Sequence, residues 1–308
     1  MNQRNYQDER DWHAMLNLLV EGRAANNGAY YVHTGDVSWW LHYHDADASF
    51  AEQIALWEDG ERLLGWVLFT PDENFFDLFV HPSLCGTAEA AAMHEWSERQ
   101  LAALGGKTVR LQFIAASDSV RRTFLESRGY QLADESEHLH RMYVTRRTLN
   151  SPISNSPLPD GFTMRGCLGE AELEARATAQ YGAFQSKWEW GKYTARWRRF
   201  MRSPVYVPER DVVAVAPDGR IAAFAIHWVD AVNGVGYFEP VGTHPDFQRL
   251  GLGRAVLAES MRRMQAAGLP FASVCCDATD PRAVTFYQAC GFEIVETLLM
   301  YQKHFGIE

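Results

Sequence analysis

The sequence predicts an α/β protein built twice over, and three observations carry that expectation. Strand-like and helical runs alternate through both halves of the 308-residue chain. A proline- and serine-rich break interrupts the alternation at residues 146–159. Residues in the two halves also match at a nearly constant separation. Asp118 and Asp280, Phe124 and Phe286, and Gly129 and Gly291 are each 162 positions apart, and His81-Pro82 stands 163 before His244-Pro245. Matching anchors in one order point to an internal duplication, with domains at 1–145 and 160–308 joined by a linker at 146–159.

The elements follow from local pattern. Residues 8–22 form a helix because Trp12, Met15, Leu16, Leu18 and Leu19 fall largely on one side. A second short helix over 35–43 carries Trp39, Trp40 and Leu41. Three strand-like runs follow at 53–57, 63–69 and 75–80, then a helix over 87–104 that Gly105-Gly106 closes. A strand at 109–115, a helix at 119–127 ending at Arg128-Gly129, and a strand at 138–145 complete the first half. Pro152, Pro157 and Pro159 mark the linker. The second half repeats the order with a strand at 162–165, helices at 170–184 and 191–201, and a hairpin of 212–215 and 221–229 around Pro217-Asp218-Gly219. A strand at 236–243 then runs into a turn and a helix in which Leu252, Val256, Leu257, Met261 and Met264 recur at helical spacing. Gly268-Leu269-Pro270 stops that helix, a strand follows at 271–276, Asp280-Pro281 opens another helix, and a strand at 294–302 ends the pattern.

Composition narrows the function classes. A hydrophobic content of 47% with 22% charged residues is that of a soluble globular protein. The formal charge of −10 argues against general nucleic-acid affinity, which leans on a basic surface, and leaves room for a small or cationic acceptor. Residues 1–12 are polar and charged, unlike a signal peptide, and no run approaches the ~18 apolar residues of a membrane span. The five cysteines (Cys85, Cys167, Cys275, Cys276, Cys290) lack Cys-x-x-Cys spacing and a histidine partner at zinc spacing, so no metal site is expected. They read as free thiols in a reducing cytoplasm.

The chemistry concentrates in Val241-Gly242-Thr243 and the stretch from Gln248 to Ala255 (Gln-Arg-Leu-Gly-Leu-Gly-Arg-Ala). A strand feeding a glycine-rich turn at a helix N-terminus makes an anion site, because free N–H groups and the positive end of the helix dipole converge there. A Walker loop would need Gly-Lys-Ser/Thr where Gly253-Arg254-Ala255 stands, and a dinucleotide fingerprint would need glycine at Val256. What remains is Gln-x-x-Gly-x-Gly, Gln248 to Gly253. Further on come Asp280, Ala283, Phe286-Tyr287 and Gly291-Phe292. Together these motifs resemble the coenzyme A loop and the following Asn-x-x-Ala, aromatic-Tyr and Gly-Phe motifs of the GNAT superfamily of N-acetyltransferases. The resemblance covers residues 160 to 303, with Asp280 in place of the usual Asn.

The resemblance implies two tandem GNAT domains, each a mixed central β-sheet flanked by helices. It implies acetyl-CoA as co-substrate, no metal, and transfer of an acetyl group to a primary amine of a small molecule by direct attack in a ternary complex. The backbone of Leu250, Gly251, Leu252, Gly253, Arg254 and Ala255 would take the pyrophosphate, with Gln248, Arg249, Asp280 and Phe286 also at the coenzyme. Val241, Gly242 and Thr243 would pair with the pantetheine amides and polarise the thioester. Tyr287 would protonate the leaving thiolate and Glu239, four residues before Thr243, would take the amine proton, with His244 and His227 as substitutes. Segment 184–193, with Trp188 and Trp190 around Glu189, would line the acceptor pocket.

The first half lacks these features. Ser83-Leu84-Cys85-Gly86-Thr87-Ala88-Glu89 has one glycine and an acid where phosphate would sit, Phe124-Leu125 replaces Phe286-Tyr287, and Phe76 stands at the place of Glu239. It reads as a degenerate copy. Three readings stay open: an N-acetyltransferase of small amines, an enzyme resembling mycothiol synthase (also a tandem GNAT protein), and a non-catalytic acyl-CoA sensor. The acceptor is not legible, and the protein is expected to be a monomer or homodimer without nucleic-acid or membrane partners.

Overall fold

The computed structural model describes residues 1–26, 31–43, 49–70, 74–137 and 139–305. In chain order the elements are β1 (Asn2–Asn5), α1 (Glu9–Ala25), α2 (Thr34–Tyr43), α3 (Phe50–Gln53), β2 (Ile54–Asp59), β3 (Arg62–Thr70), β4 (Phe75–Val80), α4 (Ala88–Ala103), β5 (Thr108–Ala115), α5 (Ser119–Ser127), β6 (Gln131–Leu132) and β7 (Arg141–Thr148). The second half continues with β8 (Thr163–Gly166), α6 (Leu173–Ala183), α7 (Trp190–Arg202), β9 (Asp211–Val215), β10 (Ile221–Asp230), β11 (Val235–Thr243), α8 (Leu252–Ala266), β12 (Phe271–Asp277), α9 (Pro281–Ala289) and β13 (Glu293–His304). The duplicated anchors do the same work in each half. Asp118 and Asp280 cap α5 and α9 by accepting from the N–H groups of Arg121 and Arg282, each at 2.9 Å. His81 and His244 cap the short 3₁₀ turns Pro82–Leu84 and Pro245–Phe247.

All the strands form one mixed sheet in the order β1-β2-β3-β4-β5-β13-β7-β12-β11-β10-β9-β8, with β6 beside β13. Within each half the pattern is antiparallel up to a single parallel junction, β4 with β5 and β11 with β12. Strand pairing crosses the join between the expected units 1–145 and 160–308. The closing strands are exchanged: β13 pairs antiparallel with β5 of the first half, β7 pairs antiparallel with β12 of the second, and the two pair with each other. β7 also runs on to Thr148, so the first residues of the expected linker are ladder-bonded strand. The expected strand 138–145 starts at 138, outside the described residues, as do 306–308 at the chain end.

The cores are shared in the same way. Helix α2 buries Val37 and Leu41 in the core of the first half, but Trp39 and Tyr43 in the core formed by α6, α7 and β10 of the second. Its C-terminus is fixed there by Arg196, whose Nε donates to the Tyr43 carbonyl at 2.8 Å, and by Gln180, whose amide donates to the Tyr43 hydroxyl at 3.1 Å. The opposite face of the second-half sheet packs on α8 and α9 through Val256, Leu257, Met261 and Tyr287. A helix of the first half thus belongs to the wall of the second, close to the middle of β11.

Candidate active site

The site is built around an irregularity in β11. Pairing with β10 is regular from Thr243 to Val241 and again from Phe238 to Val235, but Ala225 and His227, two residues apart, face Val241 and Phe238, three apart. Glu239 and Pro240 therefore occupy a β-bulge, which bends the strand and re-aims its side chains. The Trp228 indole N–H donates to the Glu239 carbonyl at 2.8 Å and fixes the bulge. The parallel ladder to β12 covers only Val235–Phe238, so beyond it the two strands part. The corresponding strand β4 pairs regularly with β3 throughout and carries no bulge.

Between the parted strands, α2 and the first half lies a cavity of about 540 Å³. Glu239 and Val241 of β11, Cys275 and Cys276 of β12, and Tyr287 of α9 line one side; Asp36 and Trp40 of α2, Asp77 of β4 and Gln112 of β5 line the other. The Asp36 carboxyl accepts from the His33 N–H at 2.9 Å and is hydrogen-bonded to Tyr237 and to Glu239. Burial pushes Glu239 well above the usual carboxylate range, and the neighbouring Asp36 charge pushes it further. Burial raises Asp36 as well. Two buried carboxyls side by side cannot both ionise cheaply, so the pair retains a proton where isolated acids would have lost it. Asp77, with no hydrogen-bond partner among the described residues, is pushed up to about 7 by burial.

Tyr287 is 9% exposed and sits between Phe286 and Phe292. Its hydroxyl has no hydrogen-bond partner among the described residues, and burial raises its pKa, so the phenol keeps its proton at neutral pH. A phenol that keeps its proton and a carboxyl pair that holds one thus line the same cavity, where one group can give a proton and the other take one.

A second cavity, of about 470 Å³, opens at the start of α8. Thr243, Gln248, Arg249, Gly251, Leu252, Gly253, Arg254 and Phe286 line it. Arg249 (φ 63°) and Gly251 (φ 79°) both adopt the left-handed conformation that turns the chain into the helix. Gly251 is the N-cap and offers no side chain, leaving the first N–H groups of α8 without an internal partner. A Cβ on Gly253 would lie 3.1 Å from Thr243 Oγ1 and 3.4 Å from the Phe286 ring, in the angle between strand and helix. The counterpart α4 is closed: Thr87 accepts from the Ala90 N–H, and the Glu89 carboxylate bonds to its own N–H and to Thr87. An anion would find those donors already taken.

Several expected site residues line neither cavity. Asp280 caps α9, pairs with Arg282 and lines neither cavity. Leu250 is 45% exposed and Ala255 is buried at 1%, and the Ala255 N–H, expected at the phosphate, donates to the Gly251 carbonyl at 3.0 Å. Gly242 lies against Phe224 and Ala183, and a Cβ there would come within 2.4 Å of the Phe224 ring. His244 packs on Gly182 and accepts from the Asp246 N–H. His227 is buried away from both cavities, and that burial, beside Arg210 and Arg263, pushes it down to about 3. In segment 184–193 only Phe184 reaches the large cavity. Glu189 is the N-cap of α7, accepting from Gly191 and Lys192 at 2.8 Å each, and Trp188 stacks on Arg196. Sequence reasoning missed Asp36 and Asp77. The one signal for each was a lone acid, Asp36 just before the aromatic-rich stretch Val37 to Tyr43 and Asp77 inside the apolar run Phe75 to Val80.

Comparison with known proteins identifies the family and the fold. A profile of the Acetyltransferase (GNAT) family matches residues 176–292. The mycothiol acetyltransferase of Streptomyces bingchenggensis is 31% identical over 229 residues, 73% of this chain and 71% of that protein. That of Streptomyces avermitilis is 28% identical over 228 residues, 73% and 70% of the two chains. Among solved structures, a tandem GNAT protein from the clavulanic acid biosynthesis pathway superposes with a TM-score of 0.71 at 15% identity, covering 100% of this chain and 99% of its own. A GCN5-related N-acetyltransferase from Sphaerobacter thermophilus gives a TM-score of 0.65 at 19% identity, covering 100% and 97%. At these identities the structural matches speak for the fold.

Proposed function

The chain belongs to the GNAT family of N-acetyltransferases, and from that premise we propose that it transfers the acetyl group of acetyl-CoA to the primary amine of a small molecule in the cavity shared by Glu239 and Tyr287. The observation that carries this reading is the meeting of three features at one end of β11: a helix N-terminus without a side-chain cap, a strand edge that leaves β12 beyond Phe238, and a cavity that holds the Asp36–Glu239 pair and the Tyr287 phenol, which has no hydrogen-bond partner among the described residues. The glycine loop and its free N–H groups suit a diphosphate, with Arg249 and Arg254 adding charge. The Val241 edge suits the amides of a pantetheine arm. Acetyl-CoA supplies an acetyl group activated as a thioester. The amine nitrogen bonds to the carbonyl carbon and the carbon–sulfur bond breaks. Glu239 takes the amine proton, directly or through water, and Tyr287 gives a proton to the sulfur.

The acceptor cavity lies between the halves. The first half contributes Asp36, Asp77 and Gln112, and its own closed loop at Thr87–Glu89 supports reading it as a degenerate copy whose role is to shape the acceptor site. The carboxyls of Asp36, Glu239 and Asp77 favour an acceptor that arrives as an ammonium ion and sheds one proton before its nitrogen attacks. The relatives' name indicates which acceptor to try first, the amine that mycothiol acetyltransferases acetylate. The test is thiol release from acetyl-CoA against that amine and a panel of amino sugars, amino acids and small amines. Turnover with any of them supports the proposal. Acetyl-CoA binding without turnover across the panel would favour the sensor reading instead.

A further inference from the structure

The small cavity has a wall that does not come from the glycine loop. Asn155, Ser156 and Pro157 of the segment joining the halves line it, facing Arg249, Gly251, Gly253 and Arg254. We propose that this segment is part of the coenzyme site, and that Asn155 and Ser156 bind the phosphate-bearing end of acyl-CoA. The inference rests on the reading that the Gly251 loop holds that coenzyme.

The segment is held in place from both sides. Upstream, the Leu149 N–H donates to the Pro270 carbonyl at 2.7 Å, and the Gln265 side-chain amide donates to the carbonyls of Leu149 and Ser151. Ile153 and Leu158 flank the stretch and pack on the core of the second half. Pro152, Pro157 and Pro159 fix φ and reduce the freedom the chain would lose on binding. Between these anchors, the side chains of Asn155 and Ser156 make no hydrogen bond within the protein among the described residues. An amide NH₂ and a hydroxyl, held without partners across a cleft from two arginines and an open helix N-terminus, suit the oxygens of a diphosphate or ribose phosphate. A segment that served only to span the halves would need none of this placement.

Calorimetry on the full chain tests the proposal. Wild type is expected to bind acetyl-CoA at one site per chain, and Gly253→Glu to abolish it by filling the angle beside Thr243 and adding like charge. The double variant Asn155→Ala/Ser156→Ala removes two side chains that make no hydrogen bond within the protein among the described residues. It is expected to raise the Kd for acetyl-CoA by about tenfold or more, the scale of hydrogen bonds to a charged group. Its affinity for S-acetylpantetheine, which lacks the phosphates, should match wild type. Amide exchange at residues 151–158 should slow when acetyl-CoA is added to wild type. An unchanged Kd in the double variant, alongside a lost site in Gly253→Glu, overturns the role of the segment and leaves the loop reading intact. An equal loss toward S-acetylpantetheine also overturns it, because the effect would then come from the fold. Failure of wild type to bind acetyl-CoA overturns the loop reading and this inference with it.

Discussion

Asp77→Asn isolates the cost of placing a carboxyl in the wall of the large cavity. Asp77 lies on β4 opposite Leu68, and burial lifts it from the usual aspartate value to about 7 against the weaker pull of Arg121. For a carboxyl raised in the folded state, the unfolded chain sheds its proton first. Between about pH 4 and pH 7 the folded protein therefore binds more protons than the unfolded one, and stability falls as pH rises, by about 1.4 kcal/mol per unit and full site. Over roughly three units this reaches on the order of 4 kcal/mol as a ceiling, and about 2 kcal/mol when water entering the cavity solvates the charge. Asparagine keeps the volume and never ionises. The variant should match wild type near pH 4 and exceed it by about 2–4 kcal/mol at pH 8. Urea unfolding followed by tryptophan fluorescence at both pH values, compared at constant m-value, reads the difference. A stability change of the same size at both pH values would refute the reasoning, because the effect would then owe nothing to the proton.

Two further substitutions test the chemistry. Glu239→Gln should lower kcat by on the order of 10²–10⁴-fold with little change in acetyl-CoA affinity, and should remove the acid limb of the kcat/KM profile. In wild type that limb should lie above the ordinary carboxylate range, with activity lost as pH falls through the raised pKa of the Asp36–Glu239 pair. An acid limb that survives unchanged assigns the base to another group. Tyr287→Phe keeps the ring between Phe286 and Phe292 and removes only the donor. The loss should stay within about 10²–10⁴-fold in kcat, because a thiolate leaves tolerably without help. A wild-type rate would make Tyr287 a packing residue.

The elements legible in the sequence were those whose signals are local. Helix 119–127 and strand 75–80 fall where cap and period place them, and Gln248 to Gly253 forms the open turn that its glycines demand. The exchange of β7 and β13 left no such trace. A period-two pattern shows that a strand has a buried face but not which edge it will join, and two copies of one fold offer equivalent edges. Asp36 was hidden for a similar reason, since the residue that gives it meaning, Glu239, is 203 positions away. The Trp188-Glu189-Trp190 cluster misled because an acid before a helix is first a cap. Its two oxygens were claimed by Gly191 and Lys192 before any ligand could be considered.

The exchanged strands impose an order of assembly. β13 follows every other strand of the sheet in the chain, yet it lies between β5 and β7 near the sheet's middle. As the polypeptide leaves the ribosome, the first half stands with the edge of β5 bare until its sequence-distant mate arrives. That edge is open to a transient partner, to β7 in the place of β13, or to a strand of a neighbouring nascent chain. A protease cut between residues 149 and 159 would likewise not yield two free domains. Each fragment would carry the strand its companion needs, and the pieces would stay zipped along β5-β13-β7-β12 until something separated all three ladders.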